Sequence, residues 1–258
     1  MLLAMDIGNT NTVLGLFDDT QIIQDWRIRT EVNATVDEYG ILIRSLFAAH
    51  GVAPATIQHI IISCVVPPVL NSVERFCSKY FQVEPLIVGP GIKTGMPIFY
   101  DNPKEVGADR IVNAVAAYEA HRQAMIVVDF GTATTFDYIS ERGEYMGGVI
   151  SPGIMISCEA LFQKASKLPR VEIFAKPLSI LAKNTITSMN AGIVYGYAGL
   201  VEGIIQRMKR EVGSNPKVVA TGGLATLIAS ECPAIDQVDD FLTLKGLRII
   251  HERNCKSL

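Results

Sequence analysis

The chain has 258 residues, of which 49% are hydrophobic and 19% are charged, and its formal net charge is −3. This length predicts one or two domains with a substantial core, and the composition excludes a disordered or low-complexity chain. The slight acidity, without a dense run of Lys and Arg, argues against a nucleic-acid partner. No apolar stretch reaches the length of a membrane span and the N-terminus lacks a basic region. We therefore expect a cytoplasmic protein without a membrane partner.

The first half of the chain alternates between strand and helix patterns. An apolar strand, a polar turn at residues 6–12 and a second apolar strand come first. The elements predicted after them are a strand at 21–29, a helix at 37–50, a buried strand at 57–66, a helix at 69–80 after two prolines, and a short strand at 84–88. This alternation indicates an α/β protein.

The second half of the chain follows the same scheme. Two apolar strands surround a polar turn at residues 129–135, and a third strand is predicted at 145–150. The remaining predicted elements are helices at 154–165 and 191–212, a strand at 217–220, a helix that begins at Leu224, and a last helix at 241–253. Each half therefore opens with strands and continues with helices and further strands.

The openings of the two halves are similar in sequence. Residues 3–17 read LAMDIGNTNTVLGLF and residues 126–140 read IVVDFGTATTFDYIS. An alignment without gaps matches Asp6 with Asp129, Gly8 with Gly131 and Thr12 with Thr135, with apolar strands on both sides. The match predicts a duplicated domain, with halves at 1–120 and 121–258 and a ligand cleft between them.

The polar turn of the first half has the residue types of a phosphate-binding loop. Gly8 lets the backbone approach a phosphate closely, and Thr10 and Asn11 supply hydrogen-bond donors. Asp6, at the end of the strand, has a carboxylate suited to hydrated Mg²⁺. An ordinary hairpin uses the same Asn and Gly chemistry, but the second donor-rich turn favours two turns that grip a polyphosphate. No Walker A sequence is present.

A candidate general base lies in the Gly-Ala-Asp-Arg sequence at 107–110. Asp109 precedes a helical pattern, so it is either a helix N-cap or the carboxylate that phosphoryl transfer aims at an attacking hydroxyl. Arg110 could bind an acidic group beside it. The polar loop that starts at Tyr100 is suited to form a substrate wall, and Thr185 could cap a helix.

Two glycine-rich segments accompany strand ends, at 147–153 and at 221–223. In both segments the glycines suit either close approach of a ligand or tight packing of the backbone. The sequence leaves these two interpretations open.

The five cysteines are odd in number and contain no C-x-x-C pair, so neither a disulfide framework nor a zinc cluster is indicated. We expect most of them to be small buried residues. The four histidines are scattered along the chain, and each is expected to be structural or solvated rather than a metal ligand.

The order and spacing of the motifs resemble the type III pantothenate kinases, a family in the superfamily of acetate and sugar kinases, heat-shock 70 proteins and actin. The motifs are Asp-x-Gly-Asn-Thr at 6–10, Gly-Ala-Asp-Arg at 107–110, Asp-Phe-Gly-Thr-Ala-Thr-Thr at 129–135 and Thr-Gly-Gly at 221–223. The resemblance covers essentially the whole chain. It implies two ribonuclease H-like (actin-like) domains, each a mixed sheet flanked by helices, and ATP-dependent phosphorylation of pantothenate to 4′-phosphopantothenate, the first step of coenzyme A biosynthesis.

The resemblance also implies roles for individual residues and the presence of two cations. Asp109 would be the general base, and Asp129 would bind a monovalent cation, K⁺ or NH₄⁺, while Mg²⁺ accompanies ATP. The residues implied to bind ATP are Asp6, Ile7, Gly8, Asn9, Thr10, Asn11, Thr12, Val13 and Thr132. Those implied to contact pantothenate are Tyr100, Gly107, Ala108, Asp109, Arg110 and Thr185. The family forms homodimers, in which Thr185 would serve the partner's site.

Two other functions are compatible with the same fold. One is a superfamily kinase for another small alcohol, although the short chain without large insertions argues against a sugar kinase. The other is a non-catalytic nucleotide-binding regulatory protein, which would have no need for the base at Asp109. The chain departs from the family pattern at Ala182, where relatives often have Gly.

Overall fold

The structure is a computed structural model that describes residues 1–171, 173 and 175–255. It divides into two compact units. Unit 1 comprises Met1–Gly95, Asp101–Ala116 and the chain from Thr243 onward, and unit 2 comprises Met96–Tyr100 and Ala117–Leu242. The halves expected at 1–120 and 121–258 stay a prediction, and the last helix, from Thr243 onward, belongs to unit 1 rather than to unit 2.

Unit 1 is built on a five-stranded sheet with two helices between its later strands. Its elements are β1 (Leu2–Ile7), β2 (Asn11–Asp18), β3 (Gln21–Arg29), α1 (Val36–Ala49), β4 (His59–Cys64), α2 (Pro67–Phe81) and β5 (Leu86–Ile87), followed by α3 (Ala108–His121), whose last residues belong to unit 2. The strand order is β3-β2-β1-β4-β5. The first three strands are antiparallel neighbours, and β1, β4 and β5 are parallel.

Unit 2 repeats this sheet. Its elements are β6 (Met125–Phe130), β7 (Ala133–Ile139), β8 (Tyr145–Pro152), α4 (Ile154–Lys164), α5 (Thr185–Val212), β9 (Lys217–Gly222), α6 (Ala225–Ala229) and β10 (Gln237–Val238). The last helix, α7 (Leu242–Cys255), belongs to unit 1 except for its first residue. The order β8-β7-β6-β9-β10 has the same pattern of antiparallel and parallel pairs. The predicted α/β class and duplication are confirmed.

The local sequence explains where these elements begin and bury their side chains. The apolar runs of β1, β4, β6 and β9 form the buried centres of the two sheets. Thr35 caps α1 in a capping box with Glu38, and two prolines occupy the first turn of α2. Within the described part of the chain, no helix is both long and apolar enough to cross a bilayer.

The alignment of the two hairpins without gaps is wrong by one residue beyond the glycine. Asp6 pairs with Val13 across the first hairpin, whereas Asp129 pairs with Thr135 across the second. The second loop is therefore one residue shorter, and the counterpart of Thr12 is Thr134 rather than Thr135. Burial agrees, because Thr12 and Thr134 are both fully buried.

Two helical predictions also need correction. Helix α5 begins at Thr185 instead of residue 191. Its first four residues are exposed, but Ile186, Met189 and Ile193 have helical spacing, and Met189 and Ile193 are buried, a pattern that the prediction did not use. Asn184 is its N-cap and accepts a hydrogen bond from the Thr187 N–H, so Thr185 is the first helical residue and does not cap the helix. Helix α3 begins at Ala108, which places Asp109 in the first turn and excludes the N-cap interpretation.

Candidate active site

In unit 1, the predicted phosphate-binding turn is held by backbone bonds and by one buried threonine. The Gly8 N–H donates to the Asn11 carbonyl over 3.0 Å and closes the turn. Thr30, just after β3, donates from its amide to the Thr10 carbonyl (3.0 Å) and from its hydroxyl to the Gly8 carbonyl (2.7 Å). The hydroxyls of Thr30 and Thr12 lie 2.9 Å apart. Three contacts thus make Thr30 the residue that fixes the shape of the turn.

Thr30 was not predicted from the sequence as part of the site. It is 7% exposed and follows an amphipathic edge strand, where a threonine attracts no attention. Its role depends on the register of β2 and β3, which pairs Asn11 with Arg29. This strand register brings Thr30 next to the turn, and the sequence does not determine the register directly.

The candidate base, Asp109, lies beside the loop that follows β4. The Val65 N–H donates to the Ile7 carbonyl over 3.1 Å, which links this loop to the end of β1. A Cβ on Gly107 would lie 3.8 Å from Val65 Cγ1 and only 2.5 Å from Asp109 Oδ1. The missing side chain at Gly107 therefore leaves room for the Asp109 carboxylate at the sheet edge where β1 and β4 end.

The surroundings of Asp109 make its carboxylate a stronger base. Burial raises the pKa of Asp109 above 3.8, and this effect exceeds the opposing effects of the Arg110 amide and guanidinium. The Arg110 N–H donates to Asp109 Oδ1 over 2.8 Å, which fixes the orientation of the carboxylate. A carboxylate with a raised pKa holds an abstracted proton more strongly, as general-base catalysis requires.

In unit 2, Asp129 lies next to a glycine with a special backbone conformation. Strands β6 and β9 pair Asp129 with Thr221 and Phe130 with Gly222. Gly222 has φ +96°, and a Cβ there would lie 2.7 Å from Asp129 Oδ1 and from the Phe130 amide nitrogen and carbonyl oxygen. The glycine thus serves close packing of β9 against the Asp129 carboxylate. A carboxylate with an adjacent carbonyl oxygen fits a hard cation.

The loop that carries Thr132 is supported by Gly153. The Gly153 N–H donates to the Thr132 carbonyl over 3.1 Å. A Cβ on Gly153 would lie 2.1 Å from that oxygen and 2.6 Å from the Gly131 carbonyl, so no other residue fits without displacing the loop. Gly153 was noted only as part of a glycine-rich segment; tight packing is the interpretation that the structure supports.

Tyr100 and Thr185 occupy different surroundings within unit 2. Tyr100 is 37% exposed. Its ring lies next to Gly147, whose φ is +106°, because a Cβ on Gly147 would be 3.8 Å from two ring carbons of Tyr100. The segment before it is bound to β8, because the Phe99 N–H donates to the Tyr145 carbonyl and the Tyr145 N–H to the Pro97 carbonyl. Thr185 lines an open groove of about 710 Å³.

The structure therefore groups the predicted site residues within each unit separately. Unit 1 contains the turn from Asp6 to Val13 and the segment from Gly107 to Arg110. Unit 2 contains Tyr100, Asp129, Thr132 and Thr185, of which only Asp129 and Thr132 share one hairpin.

Known proteins resemble this chain in sequence and in fold. A family model described as type III pantothenate kinase matches residues 2–207. A type III pantothenate kinase of Syntrophobacter fumaroxidans is 80% identical over 257 residues, covering all of both chains.

Two solved structures share the fold at low identity. A protein described as a Baf family transcriptional activator from Campylobacter jejuni gives a TM-score of 0.62 at 18% identity, covering 98% of this chain and 99% of that one. Component A of the (R)-2-hydroxyglutaryl-CoA dehydratase of Acidaminococcus fermentans gives 0.56 at 12% identity, covering 100% and 99%. These likenesses agree with the predicted duplicated ribonuclease H-like fold. The family model and the 80% identical relative show that the chain belongs to the type III pantothenate kinase family.

Proposed function

We propose that this protein transfers the terminal phosphoryl group of ATP to the hydroxyl of pantothenate, as an ATP:pantothenate 4′-phosphotransferase. Family membership over nearly the whole chain supports the reaction. The single observation that carries the mechanism is the half-buried Asp109 carboxylate, whose pKa is raised by burial and whose orientation is fixed by the Arg110 amide.

In this mechanism Asp109 takes the proton from the attacking hydroxyl, and the turns orient the phosphates. Phosphoryl transfer needs mainly positioning and neutralisation of charge. We assign the ATP phosphates to the turn from Asp6 to Val13 and to Thr132. The residues assigned to pantothenate are Tyr100, Gly107, Ala108, Arg110 and Thr185. An ionised Asp109 would repel the phosphates, and the buried Arg110 guanidinium beside it offsets that repulsion.

Two cations belong to the proposal, and the residues present fit both. Asp6 would hold Mg²⁺ with ATP, and Asp129 would hold K⁺ or NH₄⁺ with its carboxylate and the neighbouring Phe130 carbonyl oxygen. When bound, these ions supply positive charge that balances the phosphates. We further propose a cytoplasmic homodimer in which Thr185 of each protomer serves the site of its partner.

The Asp109→Asn variant tests the assigned base. Asn keeps the shape and an acceptor for the Arg110 amide but cannot take a proton, so we expect kcat to fall by about 10²–10⁴-fold. Calorimetry with a non-hydrolysable ATP analogue should give an unchanged Kd. Asp25→Asn is the matched control, because it removes an exposed carboxylate of β3 in the same unit. Near-wild-type turnover by Asp109→Asn would remove Asp109 from the role of base.

The cation at Asp129 is tested by replacing K⁺ with Na⁺ while Mg²⁺ and ATP are held constant. We expect turnover to depend on K⁺ in the wild type. Equal rates in the two salts would discard the monovalent cation and leave the kinase assignment intact. The separate outcomes keep the two parts of the proposal distinguishable.

A further inference from the structure

A cluster of two histidines and one cysteine lies in unit 1, outside every residue assigned to the kinase reaction. His59 is the first residue of β4, and His251 and Cys255 lie four residues apart on the last turns of α7. This spacing puts His251 and Cys255 on one face of the helix. The structure thus brings His59 together with two residues that lie almost two hundred positions later in the sequence.

The distances within this cluster are short. Cys255 Sγ lies 3.2 Å from His251 Nε2, and the ring centroids of His59 and His251 are 4.9 Å apart. One nitrogen of each histidine and the cysteine sulfur all lie within 4.8 Å of one another. A tetrahedral Zn²⁺ holds neighbouring N and S ligands about 3.3–3.6 Å apart. The Cys255–His251 pair already has almost this spacing, and metal binding would draw the exposed His59 ring closer to it.

We propose that His59, His251 and Cys255 bind a Zn²⁺ ion. Two imidazoles and one thiolate form a borderline-soft ligand set that suits Zn²⁺ and is a poor match for Mg²⁺ or K⁺. The site is therefore different in chemistry from the two cations of the kinase reaction. It also goes beyond the proposed function, and neither depends on the other.

The surroundings of the cluster allow an ion to enter and to complete its coordination. His59 and Cys255 are exposed, whereas His251 is 8% exposed, so the site has a fixed inner ligand and two outer ones. It opens into a groove of about 430 Å³, which Glu84 also lines. A water molecule would supply the fourth ligand.

The bound ion would connect two distant parts of the chain. His59 starts a central strand of the first sheet, and Cys255 is the last residue of the last helix. The ion would therefore fasten the end of α7 to the sheet. Because it binds the folded form, we expect 100-fold excess over Kd to raise Tm by about 5–10 °C.

The test is Co²⁺ binding to the untagged, EDTA-dialysed chain, followed by competition with Zn²⁺. We expect one equivalent to bind with the intense visible bands of tetrahedral Co²⁺ and a thiolate charge-transfer band in the near ultraviolet. Zn²⁺ should displace it. Cys255→Ser should abolish the charge-transfer band, and His59→Gln should weaken Kd at least tenfold. Both residues are exposed, so these variants keep the core intact.

The control is His121→Gln, which removes a histidine from the other unit and should leave Kd unchanged. No stoichiometric Co²⁺ binding would overturn the proposal. An unchanged Kd in His59→Gln would also overturn it, because the metal would then be held by a surface thiol alone. Kinase activity is not the readout, so failure here leaves the proposed function untouched.

Discussion

The two units carry the same sheet but build their hairpin turns differently. In unit 1 the turn is one residue longer and is tied to Thr30 at the end of the third strand. In unit 2 the turn is shorter and rests on the backbone of Gly153, at the junction between β8 and α4. The Thr30 side chain supports the turn in unit 1, whereas in unit 2 the turn packs directly against Gly153, which has no side chain. The duplicated architecture therefore preserves the position of the turn and not the way it is supported.

The aspartates at the ends of the two central strands also differ in their neighbours. Asp129 pairs with Thr221, and the next residue of β9, Gly222, packs against its carboxylate. Asp6 pairs with the fully buried Ser63, and the position that corresponds to Gly222 is Cys64. This difference matches the assignment of the monovalent cation to Asp129 and of Mg²⁺ to Asp6.

The largest effect is expected from Gly222→Ala. The variant adds a Cβ 2.7 Å from three atoms of Asp129 and Phe130, at a φ that L-residues rarely adopt. Strain and overpacking together should lower the free energy of unfolding by about 3–5 kcal/mol. Urea titration measures this loss. A variant as stable as the wild type would show that the tight packing at Asp129 is not as described.

Gly153→Ala is expected to have the next largest effect. Its Cβ would lie 2.1 Å from the Thr132 carbonyl oxygen, so the loop must move, at a cost of about 2–3 kcal/mol. The displaced Thr132 should raise the KM for ATP more than it lowers kcat. Gly131→Ala is the stability control, because its Cβ would make only a 3.5 Å contact. Equal destabilisation by both variants would contradict the supporting role of Gly153.

Thr12 and Thr134, which occupy equivalent positions in the two hairpins, give a sharper comparison. The Thr12 hydroxyl shares a hydrogen bond with Thr30, whereas the Thr134 hydroxyl is buried without a partner among the described residues. We expect Thr12→Val to cost about 1–2 kcal/mol and Thr134→Val to be neutral or stabilising. Thermal unfolding of the two variants side by side provides the measurement, and the opposite ranking would contradict the different hydrogen bonding of the two hydroxyls.

The smallest effect concerns stability at Asp109. Because burial raises its pKa, the ionised form is disfavoured in the folded chain, and this costs stability above that pKa. Asp109→Asn should therefore be at least as stable as the wild type at neutral pH. The advantage of the variant should shrink as pH falls toward the ordinary aspartate value of 3.8. Urea titrations across this pH range would contradict the account if the variant were less stable throughout.

Elements with strong periodicity or clear start signals were predictable from the sequence. Nine of the ten described strands, and α2 with its paired prolines, were predicted close to their observed bounds. The two-residue strand β10 was not predicted. The start of α5 was not predicted, although Ile186, Met189 and Ile193 have helical spacing, because its first four residues are exposed and mostly polar. The hairpin register was also beyond reach, since a one-residue difference in loop length leaves the flanking motifs intact.

Candidate site residues could be proposed from the sequence where they belong to a recognisable motif. Asp6, Asp109 and Asp129 each stand in such a motif. Thr30 and Gly153 do not, because they act through contacts that only the folded chain creates: the Thr30 hydroxyl with Gly8 and Thr12, and the close approach of Gly153 to the Thr132 carbonyl. The cluster of His59, His251 and Cys255 was invisible for the same reason. The histidines seemed scattered along the chain, but two of their rings lie side by side.

The most direct test of the account is product analysis by mass spectrometry. The purified protein would be incubated with ATP, Mg²⁺, K⁺ and pantothenate, beside a panel of other small alcohols. The account predicts 4′-phosphopantothenate in the presence of ATP and pantothenate together, and no phosphorylation of the other alcohols. Nucleotide binding without any phosphorylated product, or preferential phosphorylation of another alcohol, would contradict it.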